Sequence, residues 1–231
     1  MPGYVLHLLH GKMFLEQNAL NFSKDEQTQF QMGLLIPDVN KKTNGEDSHF
    51  FDSSQYGKIL QVPNLDNFSY RVLIDQPFVL GYTAHLYLDK IFFKDYFLKF
   101  VNFLDADGNL TDETNKVEKV LLLKDNKYIS IDELFSENYL YGDYTMLNRY
   151  LVKKYCIEMI DATHVNNPIK EVDVKDFSLV QKSLEKYLKF SSGETKMNVF
   201  NVESLECAIE RYAFGFAQWI EGLKSALKFF N

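Results

Sequence analysis

The chain contains five histidines, and four of them fall within its first 85 residues. One of the four, His85, stands four residues before Asp89. Side chains at that spacing project from the same face of a helix. Imidazole nitrogen and carboxylate oxygen both ligate Zn²⁺ and related divalent ions, so His85-x-x-x-Asp89 is a candidate metal-binding unit. The same spacing also serves a surface His–Asp pair, or a buried histidine satisfied by a carboxylate. Three further residues accompany the pair. Asp38 follows Ile36-Pro37 at the end of an apolar segment, where it reads either as a ligand or as an ordinary turn aspartate. His49 follows Ser48 in a polar loop, which also suits a solvated histidine. His7 lies on the apolar face of the first helical pattern, where a satisfied core histidine is the common case.

The elements that must carry these residues are mostly helical. Apolar spacing predicts a helix from Val5 to about Ala19, and Ser23-Lys24-Asp25-Glu26 matches a Ser-x-x-Glu capping box that opens a second helix running to about Gly33. Pro37 stops the apolar segment that follows and leaves Asp38 just beyond it. Residues 40–54 read as a polar loop. A wide apolar stripe predicts a long helix over Pro77–Phe103. Asp105 to Asn109 make a turn, and residues 119–131 have hairpin or extended character around Asp125-Asn126. Further helices are predicted over Ile131–Glu137, Tyr144–Tyr155 and Phe177–Lys189, with a flexible loop at 191–194. From Val202 to Phe230 the residues Leu205, Ile209, Tyr212, Phe216, Trp219, Leu223 and Leu227 alternate spacings of four and three, the pattern of a core seam. The reading is one mainly helical, all-α domain over residues 1–231.

Composition narrows the function classes. With 46% hydrophobic and 25% charged residues in 231, the chain is globular, which excludes disorder, collagen-like repeats and a disulfide scaffold. The net charge is −7 and no basic run exceeds a pair, so stable nucleic-acid binding is not expected. No apolar run reaches the ~18–20 residues needed to span a bilayer, and the start lacks a signal-peptide pattern. The protein is therefore read as soluble and cytoplasmic. Cys156 and Cys207 are expected to be small buried hydrophobes in a reducing compartment. Asp105-Ala-Asp-Gly108 misplaces the glycine an EF-hand needs, and no phosphate-binding glycine loop is present.

Taken in order, Met1-Pro2-Gly3-Tyr4 through His7, Gly33-Leu-Leu-Ile-Pro-Asp38, Ser48-His49-Phe50 and Leu80-Gly81-Tyr82-Thr-Ala-His85-Leu-Tyr-Leu-Asp89 resemble the bacterial zinc-dependent phospholipase C-like family, over roughly residues 1–100. Tyr141-Gly-Asp143-Tyr144 with Leu147-Asn148 resembles a later segment of it. The resemblance implies an all-helical fold shared with phospholipases C and single-strand nucleases. It implies one or two bound Zn ions, with Fe or Mn as alternatives. Asp38, His49, His85 and Asp89 would surround one ion, and Asp89 would bridge to a second held by His7. Asp38 and Asp89 would be the catalytic carboxylates, and a metal-activated hydroxide would cleave a phosphoester in a lipid or small-molecule substrate. The alternative is a non-catalytic metal- or ligand-binding member of the same fold.

The departures concern the second ion. Secreted members use the amine and carbonyl of an N-terminal tryptophan where this chain has Met1-Pro2. They also supply a His-His-Glu set downstream, whereas only His164 follows Asp89 here. His10, Asp143, His164 and Glu210 are the further candidates to complete that site.

Overall fold

The computed structural model describes residues 3–39, 46–158, 160, 165–188 and 197–229. Among them lie eight helices: α1 (Tyr4–Gln17), α2 (Lys24–Leu35), α3 (Glu46–His49), α4 (Pro77–Ile91), α5 (Ile131–Leu134), α6 (Leu140–Tyr155), α7 (Ser178–Leu188) and α8 (Val202–Phe229). The capping box opens α2 as read. Ser23 Oγ accepts from the Glu26 N–H, and the Glu26 carboxylate accepts from the Ser23 N–H at 2.8 Å. Ser130 and Glu133 repeat the device at α5. Pro77 sits in the first turn of α4, where its missing N–H leaves no bond unmade.

The helices pack by burying one stripe each. On α8, Leu205, Ile209, Tyr212 and Phe216 are fully enclosed, in line with the predicted seam, and each such burial contributes about 1.5–3 kcal/mol. The closest approach joins α2 to α4. Gly33 lies against the Phe78 carbonyl and Tyr82 nitrogen, and Gly81 lies against the Phe30 carbonyl and Leu34 nitrogen. Only hydrogen at these two positions lets the backbones touch.

The helix predicted to reach Phe103 ends earlier. After Ile91 a π-helical turn covers Phe92–Tyr96, closed by the Phe97 N–H on the Phe92 carbonyl, and a 3₁₀ turn follows at Phe97–Lys99. The chain then enters strand β1 (Val101–Leu104), which pairs antiparallel with β2 (Lys119–Leu122), itself paired with β3 (Lys127–Ile129). Phe92, Tyr96 and Phe100 keep helical spacing. Beyond them Val101 and Phe103 alternate with Asn102, and the buried pairs Val101–Leu122 and Phe103–Val120 decide for a strand. The hairpin expected over 119–131 is present, with Asn126 in the left-handed region at its turn (φ 50°). Within the π turn, Asp95 accepts from Arg211 at 2.5 Å and from the Tyr212 hydroxyl at 2.6 Å. Tyr96 donates to the Asn201 carbonyl at 3.0 Å, so the turn docks on α8 and the residue before it.

The cysteines correct their expectation, since both are exposed. Cys156 caps α6 in a left-handed conformation (φ 49°), and Cys207 lies outside the buried stripe of α8. The loops expected at 191–194 and around His164 lie outside the described residues. No helix among the described residues is long and apolar enough to cross a membrane.

Candidate metal centre

Four elements deliver five side chains to one place. His7 comes from α1, Asp38 from the 3₁₀ turn Ile36–Val39, His49 from the end of α3, and His85 with Asp89 from α4. The glycine contact sets the alignment. It holds Leu34 beside α4, and the Leu34 carbonyl is one of the last four of α2 that the helix itself leaves unbonded. His85 Nδ1 donates to it at 2.8 Å, which orients the ring and leaves Nε2 facing inward. His49 is oriented in the same way. The Ser48 hydroxyl donates to the Pro37 carbonyl at 2.8 Å and stands 3.1 Å from His49 Nδ1, so it accepts from the ring and again leaves Nε2 inward. The Tyr82 hydroxyl donates to the Ser48 carbonyl at 2.5 Å and pins the short helix.

The interior of the cluster is dense with lone pairs. His85 Nε2 and His49 Nε2 are 3.2 Å apart. Asp89 divides its oxygens, with Oδ1 3.3 Å from His7 Nε2 and Oδ2 3.3 Å from His49 and 3.6 Å from His85. Asp38 divides the other way round, with Oδ1 3.5 Å from His49 and 3.9 Å from His85, and Oδ2 4.0 Å from His7. The His7 and His85 rings stack at 3.8 Å. Two ligand groups result, His7–His85–Asp89 and Asp38–His49–His85, each with donor atoms within 4.8 Å of one another. The three histidine side chains are 0% exposed, Asp89 1%, and Asp38 8%.

The electrostatics favour positive charge between the two carboxylates. Burial pushes the Asp89 carboxyl up, but the neighbouring His85, His49 and His7 together hold it well below the usual carboxylate range. Asp38 is held down against burial in the same way, by His85, His49 and His7. Burial and the neighbouring His85 keep His7 below its ordinary value. Burial would lower His49 too, yet the carboxylates of Asp38 and Asp89 beside it outweigh burial and push the ring up to about 10. Two carboxylates thus stay ionised in an enclosed site, where unpaired charge is costly. His7 Nδ1 and Nε2, Asp38 Oδ1 and Asp89 Oδ1 are buried without a hydrogen-bond partner. Two oriented imidazoles, a third with both nitrogens unbonded, and two divided carboxylates fit one or two Zn²⁺-like ions.

A pH dependence follows. In the ion-free protein His49 carries a proton up to about pH 10, and a ligating imidazole must give it up. Metal uptake near neutral pH is expected to release about one proton, and affinity should weaken about tenfold for each pH unit of acidification. Titration calorimetry in buffers of different ionisation enthalpy checks the count.

The remaining candidates are placed elsewhere. His10 is fully buried between Phe216 and Tyr87, and burial depresses it to about 3. It stays neutral and joins neither ligand group. Asp143 is also enclosed, but its oxygens accept from the N–H groups of Asn198, Val199 and Phe200 at 2.7–2.8 Å, so they anchor the approach to α8. Glu210 is exposed on α8. His164 lies outside the described residues. Sequence reasoning passed over Ser48 as a ring-orienting group, and its position next to His49 was the available signal.

Comparison with protein-family models, with curated proteins and with solved structures gives no match.

Proposed function

We propose that the chain is a divalent-metal-dependent hydrolase acting on a phosphoester, built on a fold related to the zinc-dependent phospholipase C-like proteins. The observation that carries this reading is the pair of imidazole Nε2 atoms 3.2 Å apart, each oriented through its Nδ1 and both set between two buried carboxylates. Such an arrangement repels itself unless a proton or a metal ion sits inside it. Asp38, His49, His85 and Asp89 would hold one ion, and His7 with Asp89 would hold its neighbour. A bound Zn²⁺ or similar ion supplies Lewis-acid charge to a phosphoryl oxygen and lowers the pKa of a water at the site. Asp38 is the least enclosed of the five, so substrate approaches on its side.

Elemental analysis of protein purified without chelator tests the metal, and turnover of bis-p-nitrophenyl phosphate and p-nitrophenyl phosphorylcholine tests the chemistry. At least about one equivalent of Zn, Fe or Mn is expected, with turnover that chelation abolishes. No uptake on titration would sink the reading. Uptake without turnover would favour a non-catalytic metal-binding protein on the same fold.

A further inference from the structure

Among the described residues, the buried polar atoms without a hydrogen-bond partner include those of the ligands His7, Asp38 and Asp89, both ring nitrogens of His10, and two side chains of α6. The Tyr144 hydroxyl and the Asn148 carboxamide oxygen are both buried and have no hydrogen-bond partner. Tyr144 is 9% exposed and Asn148 2%. They stand four residues apart on α6, and so share one face of it. That face meets the first turn of α1. The Asn148 carboxamide lies against Gly3, one turn before His7, with its nitrogen 3.6 Å from where a side chain at Gly3 would begin. After burial, the strongest influence on the Tyr144 phenol is the charge of Asp89, ahead of Asp143, which is its neighbour in sequence, and Asp38 acts on it as well. The pair thus lies where α6 packs on the start of α1, one turn from the ligand His7.

Burying an unpartnered hydroxyl or carboxamide costs about 1–3 kcal/mol, so a pair on one face beside a metal centre is a cost that a bound group would recover. Both side chains are neutral. They add no negative charge beside the two aspartates, and each can donate, the phenol through its O–H and the carboxamide through NH₂ once turned end for end. Donors next to a cation centre suit a tetrahedral oxyanion, whose remaining oxygens the metal does not reach.

We propose that Tyr144 and Asn148 form a neutral oxyanion subsite that receives a phosphoryl oxygen beside the five-residue centre. The proposal rests on the phosphoesterase reading and assigns the two residues to substrate binding, outside the metal ligands. Inorganic phosphate is the probe, titrated by calorimetry into metal-loaded protein. Tyr144→Phe and Asn148→Ala are each expected to weaken phosphate about 10- to 100-fold, the range for one hydrogen bond to a charged group, with metal stoichiometry unchanged. Phosphate should also perturb the near-ultraviolet tyrosine absorbance of the wild type, and Tyr144→Phe should lose that signal. In metal-free protein Tyr144→Phe should melt no lower than wild type, because its hydroxyl bonds nothing there. Wild-type phosphate affinity in both variants would overturn the subsite and leave the metal reading standing. Loss of the metal from Tyr144→Phe would overturn it by making the phenol a ligand. A wild type that binds no metal overturns both proposals.

Discussion

Replacing Asp89 by Asn is expected to leave the helices in place and to remove the response to metal. The carboxylate serves both sides of the centre, Oδ1 toward His7 and Oδ2 toward His49 and His85. A carboxamide keeps the volume but has one acceptor oxygen, carries no charge, and turns an NH₂ toward one of these imidazoles. Outer-shell partners of a metal are worth ~10–100-fold in affinity, so a carboxylate whose two oxygens face three imidazoles should be worth at least about 100-fold. In wild type, free metal at one hundred times Kd adds about 2.7 kcal/mol of stability. For a domain of this size that raises Tm by about 5–10 °C. At the same concentration a variant binding 100-fold more weakly gains about 0.4 kcal/mol, which is about 1 °C. Thermal melts with and without Zn²⁺ read the difference directly, and on the proposed phosphoesterase reading turnover falls to background in the same variant. A variant that keeps the full metal-induced rise would place the ion somewhere else.

Gly81→Ala is expected to destabilise the protein by about 2 kcal/mol, although helix propensity alone argues the opposite. Alanine in a helix interior gains about 1 kcal/mol over glycine. Against that, the new methyl falls on the Phe30 carbonyl and Leu34 nitrogen of α2. Those are main-chain atoms and cannot rotate aside, so the two helices must separate, and forcing extra volume into a closed contact costs about 1–3 kcal/mol or more. Separation also draws the Leu34 carbonyl from His85 Nδ1, which frees the ring and should weaken metal binding in the same variant. Gly222→Ala on α8 is the control. Its methyl meets nothing, and only the propensity gain remains. Urea unfolding midpoints should therefore move in opposite directions for the two alanines. A shift of the same sign in both would mean that the α2–α4 contact is looser than described.

Most of the centre was legible in the residues because its chemistry is carried by rare types at regular spacings. A histidine and an aspartate four apart on a strongly apolar helix point one way whatever surrounds them, and the proline before Asp38 marks where a chain must leave its helix. Distances between elements were not legible. Nothing local in Gly33 or Gly81 says that they meet each other's helix, and without that contact the Leu34 carbonyl has no reason to reach His85. The same limit explains Asp143. Its residue type suits a ligand, and only the tertiary path of residues 198–200 shows that three main-chain N–H groups have claimed it. The helix read through to Phe103 failed for a related reason. Phe92, Tyr96 and Phe100 fit a helix locally, and the strand partners that override them lie about twenty residues further along.

The π turn after α4 has a consequence for how this chain can change over generations. It closes on a bond between residues five apart, where the helix before it uses four. Taking one residue out of Phe92–Tyr96 would swing everything after it by about 100° around the helix axis and carry Asp95 off Arg211, while His85 and Asp89 stayed where they are. The turn acts as a slip joint. A residue gained or lost there would show first in the bonds that Asp95 accepts from Arg211 and Tyr212, ahead of any change at His85 and Asp89.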